Sequence, residues 1–134
     1  MSFEDLKEER YISLTTFKRD GTPVGTPVWV AGDNGHLLVH SAAGSWKVKR
    51  IRRDGQVQVA PCNAAGKVRG AAFDGEARIL TDTSHVEALE ARKHGLMYRM
   101  VRLLTAINRA LRRRPAPESV TIEIAPLQRL PERA

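Results

Sequence analysis

The residues with the clearest chemical potential form a cluster of cations that follows a loop of small residues. The cluster consists of Lys47, Lys49, Arg50, Arg52 and Arg53. Ser45 is a suitable N-cap, so we predict a helix over residues 46–53 whose first turn has free backbone N–H groups. Such helix ends bind phosphate, and lysine and arginine add charge-assisted hydrogen bonds. The pattern favours a phosphate site; the alternative is a solvated basic helix that covers one end of a barrel.

A second candidate is the segment Thr26-Pro27-Val28-Trp29, which lies in a predicted strand. Pro27 cannot donate to a sheet ladder, so the strand must be at an edge, bulged or facing a ligand at this point. A flat aromatic cofactor could lie against its apolar face. An edge strand at a dimer interface explains the same pattern equally well.

Catalytic and metal-binding signals are weak. The four histidines, His36, His40, His85 and His94, are scattered and have no metal-ligand spacing, so no metal site is predicted. His40, beside Ser41 near the end of a strand, is best placed to line a pocket. The single cysteine, Cys62, is interpreted as a small buried residue rather than a reactive thiol. No catalytic residue can be named from these patterns.

Charge and composition narrow the class of protein. The 134 residues predict one domain, over residues 1–134, and 22 lysines and arginines against 15 acids give a net charge of +7. This balance indicates an anionic partner: nucleic acid, a membrane surface or a phosphorylated small molecule. The longest apolar runs are too short for a membrane span, and one cysteine with no signal-peptide pattern predicts the cytoplasm.

Six segments have the alternation or β-branched content of strands, and short turns such as Asp20-Gly21 separate the first of them. The predicted strands are 11–17, 23–31, 36–41, 56–60, 73–80 and 120–124. We expect the first three to form a meander, because their turns are too short for a crossover. The fold class is therefore mainly β, an antiparallel barrel or sandwich of about six strands with helices packed outside.

A helix is predicted over Leu96–Arg113, and Pro115 and Pro117 should end it. Its apolar stripe is expected to pack into the core, with arginines on the solvent side. The stripe comprises Met97, Met100, Val101, Leu104, Ile107 and Leu111, and the arginines are Arg102, Arg109 and Arg113. The alternative is that these arginines bind a membrane, nucleic acid or a polyanionic ligand tail. No aromatic pattern typical of an RNA-binding sheet is present, so nucleic acid is not the expected partner.

Several segments together resemble the pyridoxamine-phosphate-oxidase-like family, and most closely its branch that uses the deazaflavin coenzyme F420. They are Tyr11–Phe17, Asp20–Pro23, Thr26–Trp29, Lys47–Arg53, Val57–Cys62 and Gly66–Gly70. Each motif is loose, but their order and spacing together are fairly specific and span nearly the whole chain. Trp46 departs from the pattern, because relatives carry a small residue at this position.

The resemblance implies a split β-barrel of the FMN-binding type that works as a homodimer without a membrane partner. It implies hydride transfer between F420, or alternatively FMN, and a small conjugated acceptor such as an enone, quinone or tetrapyrrole. It places the cofactor ring over Thr26–Trp29 and Val39–Ala42, so that His40, Ser41 and Ala42 join the site. It assigns the phosphate to Lys47, with Lys49, Arg50 and Arg53. A non-catalytic cofactor or pigment carrier on the same fold is the remaining alternative.

Overall fold

The sheet of the protein contains seven antiparallel strands in the order β2-β1-β5-β6-β7-β4-β3. The computed structural model describes residues 2–112 and 118–127. The strands are β1 (Tyr11–Phe17), β2 (Pro23–Trp29), β3 (Ala31–Asp33), β4 (His36–Ala42), β5 (Gln56–Cys62), β6 (Phe73–Leu80) and β7 (Ser119–Pro126). A 3-10 helix covers Phe3–Glu8, and the α-helices are α1 (Trp46–Arg53), α2 (Ser84–His94) and α3 (Leu96–Arg112). Arg113, Pro115 and Pro117 lie outside the described residues.

The sheet is curled into a half-barrel. Only Val30 separates β2 from β3, yet these two strands lie at opposite edges of the sheet. Consecutive Cα atoms are about 3.8 Å apart, so the two edges must come close together at Val30. This curvature, with the helices outside, is the architecture of a split β-barrel and confirms the predicted fold class.

Two details of the predicted sheet are wrong. The segment 23–31 is not one strand, because the chain turns inward at the buried Val30 and begins the short strand β3 at Ala31. The sheet therefore has seven strands among the described residues rather than about six. The predicted three-strand meander does not form either, since β2 pairs with β1 whereas β4 pairs with β3 and β7.

The first hairpin forms as its turn residues require. Gly21 has a φ of +88°, a left-handed conformation that glycine adopts without strain. The backbone N–H of Thr22 donates to the Asp20 carboxylate at 3.0 Å, which fixes the turn. Register then places Leu14 opposite Thr26 and Ser13 opposite Pro27, so β2 is an edge strand with Pro27 on it.

Helix α1 lies across the sheet and contacts β1 and β6. Val48 and Ile51 share one side of this short helix and are buried in the same core as the strand residues Ile12, Leu14 and Ile122. The opposite side keeps its cations at the surface. The predicted limits of this helix are thus confirmed.

The predicted core packing of α3 is wrong. The large apolar side chains of this helix are exposed: Leu96, Met97, Met100, Val101, Leu103, Leu104, Ile107 and Leu111. On a helical wheel these eight residues span one arc of about 160°, and Tyr98, Thr105 and Arg109 lie outside it. The exposed fraction reaches 62% at Leu104 and 80% at Leu111. The apolar face therefore points away from the sheet, and the polar face points toward it.

None of the described helices combines the length and apolarity that a membrane span requires.

Candidate functional site

A cleft of about 620 Å³ lies between α1 and the β1–β2 turn, and we call it the cationic cleft. It is lined by Lys18, Arg19, Trp46, Lys49, Arg50 and Arg53. Five of its six lining residues are cations, and none is acidic. An electropositive concavity of this kind attracts polyanions by charge and by charge-assisted hydrogen bonds.

The cationic cleft depends on a link between helix and turn. The Arg53 guanidinium donates to the backbone carbonyl of Phe17 at 2.5 Å, at the end of β1. This bond holds the C-terminal end of α1 against the turn that carries Lys18 and Arg19. Sequence reasoning missed those two cations, because nothing local shows that the turn lies beside α1. Their only signal is that two adjacent cations follow a strand directly.

Trp46 forms an aromatic wall of the cationic cleft. Its side chain is turned outward, and 69% of the residue is exposed. The Lys49 ammonium lies 4.5 Å from the centroid of its ring, and the Arg50 guanidinium carbon lies 6.0 Å away. These are cation–π contacts, which orient both cations over the ring. The large indole side chain of Trp46 therefore lines the cleft and does not enter the core.

The other predicted site residues near the start of α1 lie outside this cleft. Lys47 is half-buried and is not among the lining residues, and burial lowers the pKa of its ammonium. Ser41 is buried, with its hydroxyl oxygen 3.2 Å from that of Ser45. Ser45 occupies the N-cap position of α1 but makes no side-chain capping bond there. Ala42 is exposed.

A second cavity, of about 420 Å³, lies between the strands and α3, and we call it the helix-covered cavity. Strands β2 and β4 contribute Pro27, Val28, Trp29 and His40 to its wall. The helices contribute mostly polar and aromatic side chains, among them Glu90, Tyr98, Arg102 and Arg109, together with Val101 from the edge of the apolar face of α3. Four of the predicted ring-binding residues thus meet in one cavity, whereas Thr26, Val39, Ser41 and Ala42 do not line it. Thr26 is half-buried in β2.

The structure separates the predicted site into two groups. Lys49, Arg50 and Arg53 share the cationic cleft, whereas Pro27, Val28, Trp29 and His40 share the helix-covered cavity. Thr26, Ser41, Ala42 and Lys47 line neither. Placement alone does not test what these residues bind, so the assigned contacts stay predictions.

Sequence reasoning missed several residues of the helix-covered cavity, among them Tyr98 and the carboxyl-bearing Glu90. Only 3% of Glu90 is exposed, and burial raises the pKa of its carboxyl group to about 7. The nearby Glu87 carboxylate raises the pKa further, while the His40 backbone N–H and Lys93 act against the shift. Its one sequence signal is spacing, because Glu90 lies four residues after Val86 on the same buried face of α2.

His40 lies beside this carboxyl group. Burial lowers the pKa of its imidazole, against the opposing effect of Glu87, so the ring is neutral near pH 7. Its Nε2 atom is 3.7 Å from the Glu87 carboxylate, too far for a hydrogen bond, and has no hydrogen-bond partner among the described residues. This ring nitrogen is therefore a buried polar atom without a partner beside the cavity.

Lys93 fixes α2, and with it Glu90, against the sheet. Its ammonium donates to the backbone carbonyls of Lys7 at 2.5 Å and Val30 at 2.6 Å, and also to that of Glu9. The three carbonyls belong to the N-terminal segment and to the junction between β2 and β3. One side chain therefore ties the helix to the point where the sheet edges meet.

The described residues give little support for metal-dependent chemistry or for a reactive thiol. No three histidine, cysteine, aspartate or glutamate side chains of residues 2–112 and 118–127 are grouped so that they could hold a metal ion. Cys62 is buried and free, and burial raises the pKa of its thiol. Burial of this kind keeps the sulfur protonated and poorly nucleophilic.

The curled sheet with its helices packed outside defines a split-barrel protein. The chain belongs to the pyridoxamine 5'-phosphate oxidase family, which it matches over residues 3–129. No curated protein matches it.

Solved structures share the fold at low identity. An F420 reductase is 20% identical with a TM-score of 0.63, covering 96% of this chain and 95% of its own. A conserved hypothetical protein of Mycobacterium tuberculosis is 22% identical with a TM-score of 0.63, covering 96% and 82%. The heme storage protein HutZ of Vibrio cholerae is 12% identical with a TM-score of 0.63, covering 94% and 86%. Similarity at this level shows the fold alone.

Proposed function

We propose that the protein is an F420-dependent oxidoreductase that reduces a conjugated organic acceptor of the enone, quinone or tetrapyrrole class. The cationic cleft carries this proposal, because its five cations suit a cofactor with a phosphate and a polyglutamate tail. F420 would supply the hydride, which explains why the described residues need no nucleophile–base pair of their own. The likeness to an F420 reductase supports the same choice of cofactor.

The residues of this chain would bind and orient the cofactor. Lys49, Arg50 and Arg53 would hold its anionic groups, and the exposed face of Trp46 would contact it. The strand residues Pro27–Trp29 and His40 are the proposed contacts of its ring. Fixing the donor and the acceptor in one geometry can supply about 7–11 kcal/mol of the barrier reduction.

The first test is F420 binding, followed by quenching of the cofactor's fluorescence on titration with protein. Arg50→Glu should weaken binding by about 1.5–3 kcal/mol, because it removes a charge-assisted bond and adds a like charge. Arg52→Glu is the matched control: it makes the same charge change on the same helix, but Arg52 does not line the cleft. Equal losses in the two variants would contradict a specific site in the cationic cleft.

The same titration separates the alternative functions. FMN is the second candidate cofactor, since the family is that of pyridoxamine 5'-phosphate oxidase. Binding of FMN without F420 would make the protein a flavin enzyme. Tight F420 binding without turnover of any enone or quinone would make it a carrier. Since the cations of α1 converge on a cleft and do not form an extended stripe, nucleic acid is not a partner in this proposal.

We further propose that two copies of the chain form a homodimer through the apolar face of α3. A patch of eight exposed large apolar side chains on one helix is unusual for a monomer surface. Arg99, Arg102 and Arg109 lie outside the apolar arc, so two copies can bury the centre of this face across a twofold axis without a cation between them. The face would run about 25 Å along the helix.

We also propose that the protein works in the cytoplasm, because it has a single cysteine.

Leu104→Glu should shift the protein from dimer to monomer, because it places a charge in the centre of the proposed interface. We expect the dissociation constant to rise about tenfold or more. Ala106→Glu is the control, since Ala106 is exposed on the other side of the same helix. Sedimentation velocity over a concentration series measures both. Identical behaviour of the two variants would contradict this interface.

A further inference from the structure

The helix-covered cavity has an aromatic wall held in a fixed position. Trp29 stacks on His94, with ring centroids 4.3 Å apart and planes 16° apart. The Tyr98 ring lies 6.4 Å from Trp29 and is tilted by 38°. Two aromatic rings that converge in this way form a surface that suits a planar conjugated molecule.

The same cavity presents two guanidinium groups. Arg102 and Arg109 are seven residues apart, which is about two turns, so they project from one side of α3 into the cavity wall. Arg102 already donates to the Glu87 carboxylate at 3.3 Å. Arg109 is half-buried and has no ion pair among the described residues. A half-buried guanidinium without a counter-ion is suited to bind a carboxylate from a ligand.

No lining group of the described cavity neutralises Arg109 near pH 7. Glu90 is the acidic residue of the wall, and burial keeps much of it protonated at that pH. His40 is neutral there, and its Nε2 atom has no partner. The cavity thus combines an aromatic wall with one uncompensated cation.

We propose that the helix-covered cavity binds the acceptor and selects planar conjugated molecules that carry a carboxylate group. Arg109, assisted by Arg102, binds the carboxylate, and Tyr98 on α3 contacts the conjugated plane, whereas Trp29 on the strand side of the cavity contacts the cofactor ring. This inference rests on the proposed function in one respect, the identification of the bound molecule as the hydride acceptor. Binding of a conjugated carboxylate itself requires no cofactor. The carboxylate of the acceptor and the anionic groups of the cofactor then bind at different places, the first beside Arg109 and the second in the cationic cleft.

Calorimetric titration without cofactor tests the selection, with anthraquinone-2-carboxylate and its neutral carboxamide as matched probes. The unaltered protein should bind the carboxylate about tenfold more tightly than the carboxamide. Arg109→Gln should remove most of this preference. Arg99→Gln should retain it, since Arg99 is an exposed cation of the same helix that does not line the cavity.

Equal affinity of the unaltered protein for the two probes would overturn the inference. So would a preference that survives in the double variant Arg102→Gln, Arg109→Gln, with circular dichroism showing that the variant is folded. Carboxylate selection that depends on Arg109 supports the inference even if F420 fails to bind, and that combination would remove the proposed function alone. F420 binding with no carboxylate preference would leave the proposed function in place and overturn this inference alone.

Discussion

Replacing Ile51 with alanine is expected to lower the free energy of unfolding by about 2–5 kcal/mol. Ile51 is 4% exposed and lies with Val48 in the core shared with β1 and β7. The loss combines the transfer free energy of the deleted carbons with the cost of the cavity that they leave. The effect reaches the candidate site because these two side chains hold α1, and with it the cationic cleft, against the sheet.

Ile51→Val provides the control, since removing one methylene should cost about 0.5–1.5 kcal/mol. Urea unfolding of the three proteins gives the stability difference. F420 titration under conditions where all are folded shows whether the cleft also loses affinity. If Ile51→Ala unfolded no more easily than Ile51→Val, α1 would not be anchored as the structure places it.

The features that could be predicted from the sequence are those that a periodic pattern determines locally. Strands β1 and β6 and helix α1 have the predicted limits, because alternation and a 3.6-residue repeat each specify one element and one buried side. The turn at Asp20-Gly21 follows from the conformations open to glycine. The same 3.6-residue repeat places Val48 and Ile51 on one side of α1, which is the side that is buried.

The orientation of α3 could not be predicted in this way. An amphipathic pattern shows that one face of a helix needs cover, but it does not show what covers that face. The apolar stripe of α3 turns away from its own sheet, while Arg109 and Tyr98 turn toward it. The crossing from β2 to β3 was missed for a related reason, since closure of a sheet is a property of all its strands.

The two cavities also depend on contacts between residues far apart in the chain. Lys18 joins Arg53 in one cleft, and Trp29 joins Arg109 in the other cavity. No spacing in the sequence connects these pairs. Glu90 shows the same limit most clearly, because a glutamate on a helix with mixed polarity is expected at the surface and this one is buried.

Replacing Glu90 with glutamine should stabilise the protein in a way that depends on pH. Burial raises the pKa of this carboxyl to about 7 from an ordinary value of 4.5, so the folded state binds a proton that the unfolded state releases. The native protein therefore loses stability as the pH rises from about 4.5 to 7. Glutamine keeps the shape of the side chain and cannot ionise, so it avoids this loss.

The pH-dependent gain should approach about 3 kcal/mol at pH 8 and remain below about 1 kcal/mol at pH 5. Urea unfolding of both proteins at the two pH values measures it. Glu76→Gln is the matched control, because Glu76 is exposed on β6 and its replacement should alter stability similarly at both pH values. A Glu90→Gln gain that did not grow with pH would mean that the Glu90 carboxyl is ionised in the folded state. The cavity would then hold a third charge beside Arg102 and Arg109, and its selection of carboxylates would weaken as well.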